Sequence, residues 1–297
     1  MMKKIIGGIL CFVLMLFLVD RGVSWFLLKG LERYYGINQK ADILMIGHSH
    51  MLKSCNEESI EAGLNAEVSK FCLEGVLPPV RHIMAQMFME GRAQGSVPYV
   101  LYSVDPYMFR KSDDIALNTY KVFYPYMDSP YVDALVRMEA SSHFDYYLHK
   151  WVRSARFTDN MVYRSLRGWL DMRRSFENWV MSEQQWNEMK PVPPRVDSAV
   201  MACFRQTLDF LVSRGCRVVL VEAPIAYRNL CPKEIEEVSA IFRSIAEASP
   251  HVDYLNYGPP FCAQRELFCD PVHVNHRGEK LVTEALIQDL KKIEHKN

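Results

Sequence analysis

The sequence predicts an α/β protein, a flavodoxin-like three-layer sandwich in which helices cover both faces of a five-stranded parallel sheet. Two observations predict this class. Five short runs are apolar at nearly every position, which is typical of strands that are buried on both faces. Stretches with helical periodicity fill most of the gaps between these runs, and such alternation of strands and helices indicates a parallel sheet.

The predicted elements follow one another in a regular order. The five strands are residues 42–47, 66–73, 98–104, 216–222 and 252–256. The helices are residues 57–63, 79–90, 197–214, 232–248 and 277–292. A predicted helix therefore lies between each strand and the next, and the last helix follows the fifth strand.

One stretch interrupts this order. Residues 107–194 contain no clear strand, and a loop of that length without structure would be unusual, so we expect a helical insertion that packs over the sheet. Its many aromatic residues fit a small core of the insertion, with the arginines on a solvated face. Interleaved aromatic and basic residues also fit contact with nucleic acid, a membrane surface or a polysaccharide. The basic residues are Lys150, Arg153, Arg156, Arg164, Arg167, Arg173 and Arg174.

Residues 1–31 predict an uncleaved membrane anchor. Lys3 and Lys4 precede an apolar run over residues 5–19, which at about 15 residues is shorter than the roughly 20 that a spanning helix needs. A cleaved signal peptide is the second interpretation, although no small-x-small site follows the run, and a buried core helix is the third. Lysines held in the cytosol would place the remaining domain, residues 32–297, outside the cytoplasm.

Charge and composition exclude several classes of protein. The 297 residues carry 35 Lys and Arg against 35 Asp and Glu, and this balance argues against a nucleic-acid binder. The eight cysteines show no C-x-x-C spacing, and the sequence has no phosphate-binding loop or dinucleotide motif, so we expect no metal and no cofactor. Cys262 and Cys269 could close a small disulfide loop or be ordinary thiols.

A candidate nucleophile follows the first predicted strand. The segment Gly47-His48-Ser49-His50 ends this strand and opens a helix. Ligands of parallel sheets bind beyond the carboxyl ends of the strands, where Ser49 would lie. The alternative is that Ser49 is only a helix N-cap.

A candidate base and its partner stand near the other end of the chain. Asp270 lies three residues before His273, in a loop that precedes the last predicted helix. An aspartate in this position can orient the imidazole so that its other nitrogen accepts a proton from a serine. Asn275, two residues further on, fits an N-cap of the last helix.

These two segments, in this order and at opposite ends of one α/β domain, resemble the SGNH/GDSL hydrolase superfamily. Its first block is a G-x-S after the first strand, and its last block is a D-x-x-H before the final helix. The resemblance covers residues 42–292 apart from the insertion. It implies Ser49 as nucleophile, His273 as general base and Asp270 as the acid that orients this base.

The two remaining blocks of the superfamily concern the oxyanion hole. Gly75 stands where the family has a glycine N–H donor, and it also fits a simple turn. Asp105 stands where the family has an asparagine amide, and an ionised carboxylate cannot donate to an oxyanion. The loss of one such donor typically costs about 100–1,000-fold in rate. His48 and Asn275 complete the candidates around substrate, His48 as a loop residue that shapes the pocket.

The anchor followed by such a domain resembles membrane-anchored members near cell-envelope acyltransferases, including those of alginate acetylation and teichoic-acid D-alanylation. The resemblance implies an extracytoplasmic serine esterase or O-acyltransferase that acts on acyl esters of cell-envelope or extracellular glycans. It would be a single-pass membrane protein with a cytoplasmic N-terminus and envelope-protein partners. Two alternatives stay open: an inactive relative that binds an acylated glycan or an envelope partner, and an unrelated flavodoxin-like module.

Overall fold

The computed structural model describes residues 2–37, 39–111, 119–172, 178–190, 192–227 and 233–294. The chain divides into two compact units. One, here called the helical unit, takes in residues 1–37 and 117–173. The other, here called the sheet unit, takes in residues 38–116 and 174–297.

The elements are numbered along the whole chain. The strands are β1 Ile43–Gly47, β2 Val68–Cys72, β3 Tyr99–Val104, β4 Arg217–Glu222, β5 Val252–Asn256, β6 Phe268–Asp270 and β7 His273–Val274. The helices are α1 Met2–Tyr34, α2 Ser49–Ser54, α3 Glu57–Leu64, α4 Pro78–Met89, α5 Pro130–Glu139, α6 His143–Trp151, α7 Asp159–Trp169, α8 Glu183–Glu188, α9 Ser198–Ser213, α10 Lys233–Glu247, α11 Gly258–Phe261 and α12 His276–Glu294.

The sheet unit confirms the predicted fold class. Its main sheet has five strands in the order β2-β1-β3-β4-β5, and every neighbouring pair is parallel. β1 is buried at all five positions and β3 at five of six, because both faces of the sheet are covered. The apolar runs of the sequence therefore correspond to these five strands.

Helices pack against both faces of this sheet. On one face, side chains of β1 and β3 such as Met45 and Leu101 form a core with α2, α3 and α12. On the other face, Tyr102 of β3 packs against Phe204 of α9, which in turn contacts Phe242 of α10. Full burial of each large apolar side chain contributes about 1.5–3 kcal/mol, so the two layers together stabilise the sandwich.

Gly47 allows the end of β1 to approach β3 closely. A Cβ atom on Gly47 would lie 2.4 Å from the Cβ of Ser103, far inside van der Waals contact. Only glycine therefore fits at the last position of β1. This close approach places the start of α2 at the carboxyl edge of the sheet, where Ser49 begins the helix.

The helical unit is built around α1. The side chains of Leu27 and Leu31 are buried, and α7 crosses α1 where Gly168 meets Gly30, with no space for a side chain at either position. The apolar residues from Ile5 to Val19 remain exposed. α1 is long and apolar enough to cross a membrane, with a mean hydropathy of 2.2 over 18 residues.

The predicted insertion contains helices in the structure. α5, α6 and α7 belong to the helical unit, whereas α8 belongs to the sheet unit. The boundaries predicted from the sequence, 1–31, 32–297 and 107–194, stay predictions, as does the placement of the insertion over the sheet. Cys262 and Cys269 are not joined by a disulfide, so the small disulfide loop is not formed.

Candidate active site

Ser49, His273 and Asp270 form a continuous chain of hydrogen bonds. Nε2 of His273 lies 2.8 Å from Oγ of Ser49, and Nδ1 lies 2.7 Å from Oδ2 of Asp270. Because a carboxylate only accepts, Nδ1–H donates to Asp270 and Nε2 is left to accept the serine proton. The structure thus brings together the three residues that the sequence predicts.

The local fold holds Asp270 and His273 in place. Asp270 ends β6 and His273 begins β7, and the two short strands pair antiparallel. The second oxygen of Asp270 accepts from the backbone N–H groups of Val272 and His273, at 2.9 Å each. Burial opposes the charge, but these bonds and the His273 imidazole lower the pKa of Asp270 below its usual value. Asp270 is therefore an ionised acceptor at neutral pH.

Ser49 and His273 line a pocket of about 330 Å³ in the sheet unit, and Asp270 lies behind His273. Ser49 and His273 reach it from opposite ends of the sequence, 224 residues apart. This volume lies at the small end of the range for ligand pockets. The lining residues are His48, Ser49, His50, Gly75, Val76, Leu77, Asp105, Tyr107, Met108, Arg110, Val272 and His273.

Two backbone N–H groups at this pocket are without an acceptor among the described residues. They belong to Ser49, the first residue of α2, and to Gly75. Gly75 has a φ of +72°, in the region that favours glycine, so the turn at this position also requires it. Unpaired N–H groups beside a nucleophile are the donors that an oxyanion needs.

Asp105 binds His48 and is not a donor to the pocket. Nε2–H of His48 donates to Asp105 at 2.6 Å, since Nδ1 of His48 accepts from the backbone N–H of His50. The second oxygen of Asp105 accepts from the N–H of Tyr107. Burial opposes ionisation of Asp105, but the neighbouring His48 lowers its pKa. The carboxylate is therefore ionised, and each of its oxygens accepts a hydrogen bond from within the protein.

His48 is a structural residue at the start of α2. It is buried, and its side chain caps the helix through the bond to the His50 backbone. Burial and the positive charge of Arg81 lower the pKa of His48 below its usual value. The side chain therefore ties the helix that carries Ser49 to the end of β3 through Asp105.

His50 lies in the pocket, although sequence reasoning did not select it. Its ring centroid is 4.2 Å from that of His48 and 5.5 Å from that of His273. Burial, followed by the charge of His48, lowers its pKa well below the usual value, so the ring is neutral. Nδ1 is buried without a partner, and no described residue bonds Nε2. Its position directly after Ser49 at a helix start was the available signal.

His48, His50 and Asp105 also form a set that could hold a metal ion. Each offers one ligand atom, and these atoms lie within 4.8 Å of one another. Nε2 of His48 and Oδ2 of Asp105 are only 2.6 Å apart, whereas two ligands of a tetrahedral zinc ion are about 3.3 Å apart. The positive charge of buried Arg81 acts on the same groups. A hydrogen bond fits this geometry better than a shared ion.

The structure does not bring Asn275 into the pocket. Its side-chain oxygen accepts from the N–H groups of Arg277 and Gly278, which is the bonding of a helix N-cap. Its amide donates to the carbonyl groups of Glu266 and Trp179. The polar atoms of the Asn275 side chain therefore hold the start of α12 and the loop before it. This bonding agrees with the interpretation of Asn275 as the N-cap of the last helix.

Comparison with solved structures shows a distant structural likeness. No family model and no curated protein matches the chain. A crystal structure from Bacteroides fragilis, described as a proposed acylhydrolase, is 9% identical over 86% of this chain and 88% of that chain, with a TM-score of 0.44. A structure from Streptococcus pneumoniae, described as a proposed platelet-activating factor, is 11% identical over 95% and 98%, with a TM-score of 0.43.

Proposed function

We propose that the protein is an SGNH-type serine ester hydrolase or O-acyltransferase. Ser49 is the nucleophile, His273 the general base and Asp270 the residue that orients the base. One observation carries the proposal: the Ser49–His273–Asp270 hydrogen bonds of 2.8 and 2.7 Å at the wall of a pocket. A serine hydroxyl needs such a base because it is a weak nucleophile at neutral pH.

The reaction proceeds in two steps. Nε2 of His273 takes the hydroxyl proton while Oγ of Ser49 attacks the ester carbonyl carbon, and the resulting oxyanion accepts hydrogen bonds from the N–H groups of Ser49 and Gly75. His273 then returns the proton to the leaving alcohol oxygen, and an acyl-serine remains. In the second step His273 takes a proton from water or from a sugar hydroxyl while its oxygen attacks the acyl carbon, and returns the proton to Oγ of Ser49 as the acyl–Oγ bond breaks. Attack by water gives hydrolysis, whereas attack by a sugar hydroxyl gives acyl transfer.

His50 supplies the third donor that Asp105 cannot. A neutral imidazole has one N–H group. An N–H placed on the buried Nδ1 of His50 would have no hydrogen-bond acceptor. The proton therefore belongs on Nε2, the nitrogen that no described residue bonds, at a pocket that His50 lines. Nε2–H takes the part of the asparagine amide in the family pattern.

The pocket and the N-terminus together suggest the substrate class. About 330 Å³ suits a short acyl group such as acetyl on a larger alcohol that extends outside the pocket. If α1 crosses the membrane with Lys3 and Lys4 in the cytosol, the substrate is extracytoplasmic. We therefore propose acyl esters of cell-envelope or extracellular glycans, without a cofactor.

A second candidate is a binding protein without catalytic activity. The observation in its favour is Asp105, an ionised carboxylate where the family has an amide donor. In this case the same pocket holds an acylated glycan or an envelope partner without cleaving an ester.

Labelling with a serine-reactive fluorophosphonate separates the two candidates. We expect the wild-type protein to be labelled and Ser49→Ala to remain unlabelled, with p-nitrophenyl acetate hydrolysis reduced about 10³-fold or more. Ser213→Ala, at an exposed position of α9, is the matched control and should label as wild type does. A folded wild-type protein that never labels would contradict the enzyme and favour the binding protein.

A further inference from the structure

One side of α6 exposes three aromatic side chains in a row. Phe144, Tyr147 and Trp151 follow the helical spacing of one face, and they are 76%, 54% and 68% exposed. The opposite side holds the helix in its unit through buried Tyr146, whose hydroxyl donates to Asp133. Exposed aromatic side chains that are adjacent on one helix face, rather than scattered singly, are typical of a binding surface. We call Phe144, Tyr147 and Trp151 the aromatic face.

The aromatic face ends where the exposed apolar segment of α1 ends. The carboxylate of Asp20 accepts from the backbone N–H groups of Arg153 and Ser154, and from the Ser154 hydroxyl at 2.7 Å. Arg21 lies 3.5 Å from the carbonyl oxygen of Trp151. These contacts lie within the helical unit and fix the last residue of α6 beside Asp20.

α1 changes its surroundings at this same position. The large apolar side chains from Ile5 to Val19 are 50–63% exposed, whereas Ser24 and Leu27 are buried within the chain. Fifteen helical residues extend only about 22 Å, less than the roughly 30 Å of a hydrocarbon core. A short apolar segment is accommodated by local thinning of the bilayer, and we place Asp20, the first charged residue after the segment, at the edge of the hydrocarbon layer.

We propose that the aromatic face lies in the interfacial layer of the bilayer that α1 crosses, with phospholipid as its occupant. Trp151 lies beside Asp20. Trp25, which is also exposed, lies five residues beyond Asp20 on α1. Tryptophan and tyrosine rings favour the headgroup level. Arg21 and Arg153, paired with Asp20 and Asp128, place polar groups at the same level. The inference rests on the membrane anchor in the proposed function, not on the triad.

Such contact gives the helical unit a second attachment to the membrane. A single spanning helix leaves the rest of the chain free to tilt relative to the plane of the bilayer. Lipid contact along α6, which is fixed to α1 through Asp20, restricts that tilt. The unit then presents one defined side to the bilayer.

Quenching of Trp151 fluorescence by brominated lipid tests the inference. The full-length protein is reconstituted in vesicles of phosphatidylcholine and phosphatidylglycerol, with Trp25, Trp169, Trp179 and Trp186 replaced by Phe. We expect bromine near the headgroup to reduce Trp151 fluorescence about twofold or more, and bromine at the ends of the acyl chains to reduce it less. A protein that retains only Trp186, which packs on the cluster containing Met181, should be unaffected.

Two further measurements keep the outcomes separate. If four replacements disturb the fold, wild type is compared with Trp151→Phe alone, and the quenching lost in the variant is assigned to Trp151. If the protein does not sediment with vesicles, α1 is not a membrane anchor, and the inference fails together with that part of the proposed function. A protein that sediments while Trp151 remains unquenched overturns the inference, and shielding of Trp151 from acrylamide in that case indicates contact with a second copy of the chain. Neither result depends on fluorophosphonate labelling.

Discussion

At the scale of single residues, the site contains two hydrogen-bonded His–Asp pairs, one placed for chemistry and one that holds the structure. His273 and Asp270 lie beside the Ser49 hydroxyl, whereas His48 and Asp105 fix the start of the helix that carries it. His50 stands between the two imidazoles of these pairs. A chemical role for His50 is therefore testable apart from the triad.

Replacement of His50 by Phe removes the third oxyanion donor while keeping an aromatic ring in the pocket. We expect kcat for p-nitrophenyl acetate to fall about 100–1,000-fold with little change in KM, because the donor acts on the transition state. His50→Gln, which keeps an N–H, should recover part of this loss. The control is His251→Phe, at an exposed position before β5.

An unchanged kcat in folded His50→Phe would assign the ring to packing alone. Metal binding has its own signature: if His50 holds an ion with His48 and Asp105, a chelator should lower wild-type activity and added zinc should restore it. We expect neither effect.

At the scale of secondary-structure elements, the sheet was predictable and the second pair of site residues was not. Strands such as β3 are apolar along their whole length, so residues 98–104 already indicate Tyr99–Val104. The serine, base and acid were also found, because each stands beside a predicted element end. The His48–Asp105 bond joins residues 57 positions apart, and nothing local in the sequence signals such a pair. The packing of α7 on α1 depends on the close approach of Gly30 and Gly168, which are also far apart in the sequence and give no local signal.

The junction of β1 with β3 gives a prediction about packing. In Gly47→Ala the new methyl group would lie 2.4 Å from the Ser103 Cβ, so the strands must separate beside Ser49. We expect the free energy of unfolding to fall by about 1–3 kcal/mol in urea denaturation, with lower esterase activity. Gly22→Ala, where no atom lies within 4 Å, is the control and should lose no stability in the same assay, because alanine favours a helix more than glycine does. Equal stability of both variants would mean that the sheet adapts without strain.

A buried carboxyl group links β4 to its neighbours and makes stability depend on pH. Glu222 accepts hydrogen bonds from Ser239 of α10 and Tyr254 of β5. Burial raises its pKa to about 7, although these two donors oppose the shift. A raised carboxyl pKa means that the folded protein holds the proton more tightly than the unfolded chain, so stability from this group falls as pH rises from about 4.5 to 7.

Glu222→Gln should remove this contribution, because the amide cannot ionise. We expect the variant to gain stability relative to wild type between pH 5 and pH 8, by about 1–3 kcal/mol, as measured by urea denaturation at each pH. Glu247→Gln, at an exposed position of α10, provides the control for loss of a charge. A constant difference between Glu222→Gln and wild type across this range would place the Glu222 pKa outside it.

At the scale of the whole molecule, the proposed substrate class depends on which side of the membrane the domain occupies. Lys3 and Lys4 precede the exposed apolar part of α1, and positive residues before a span stay in the cytosol. In a bacterial host we expect the full-length protein to remain in membranes after carbonate washing. Protease added to spheroplasts should digest the domain while a cytoplasmic marker stays intact.

The orientation of the protein in the membrane should depend on the positive charge of its first residues. Lys3→Glu with Lys4→Glu should place part of the population in the opposite orientation, seen as a protease-protected fraction in spheroplasts. Lys280→Glu with Lys292→Glu, both on exposed parts of α12, changes net charge equally and should leave the orientation unchanged. If the wild-type domain is itself protected, the domain faces the cytosol, and a cell-envelope glycan is excluded as substrate even where Ser49 reacts with fluorophosphonate.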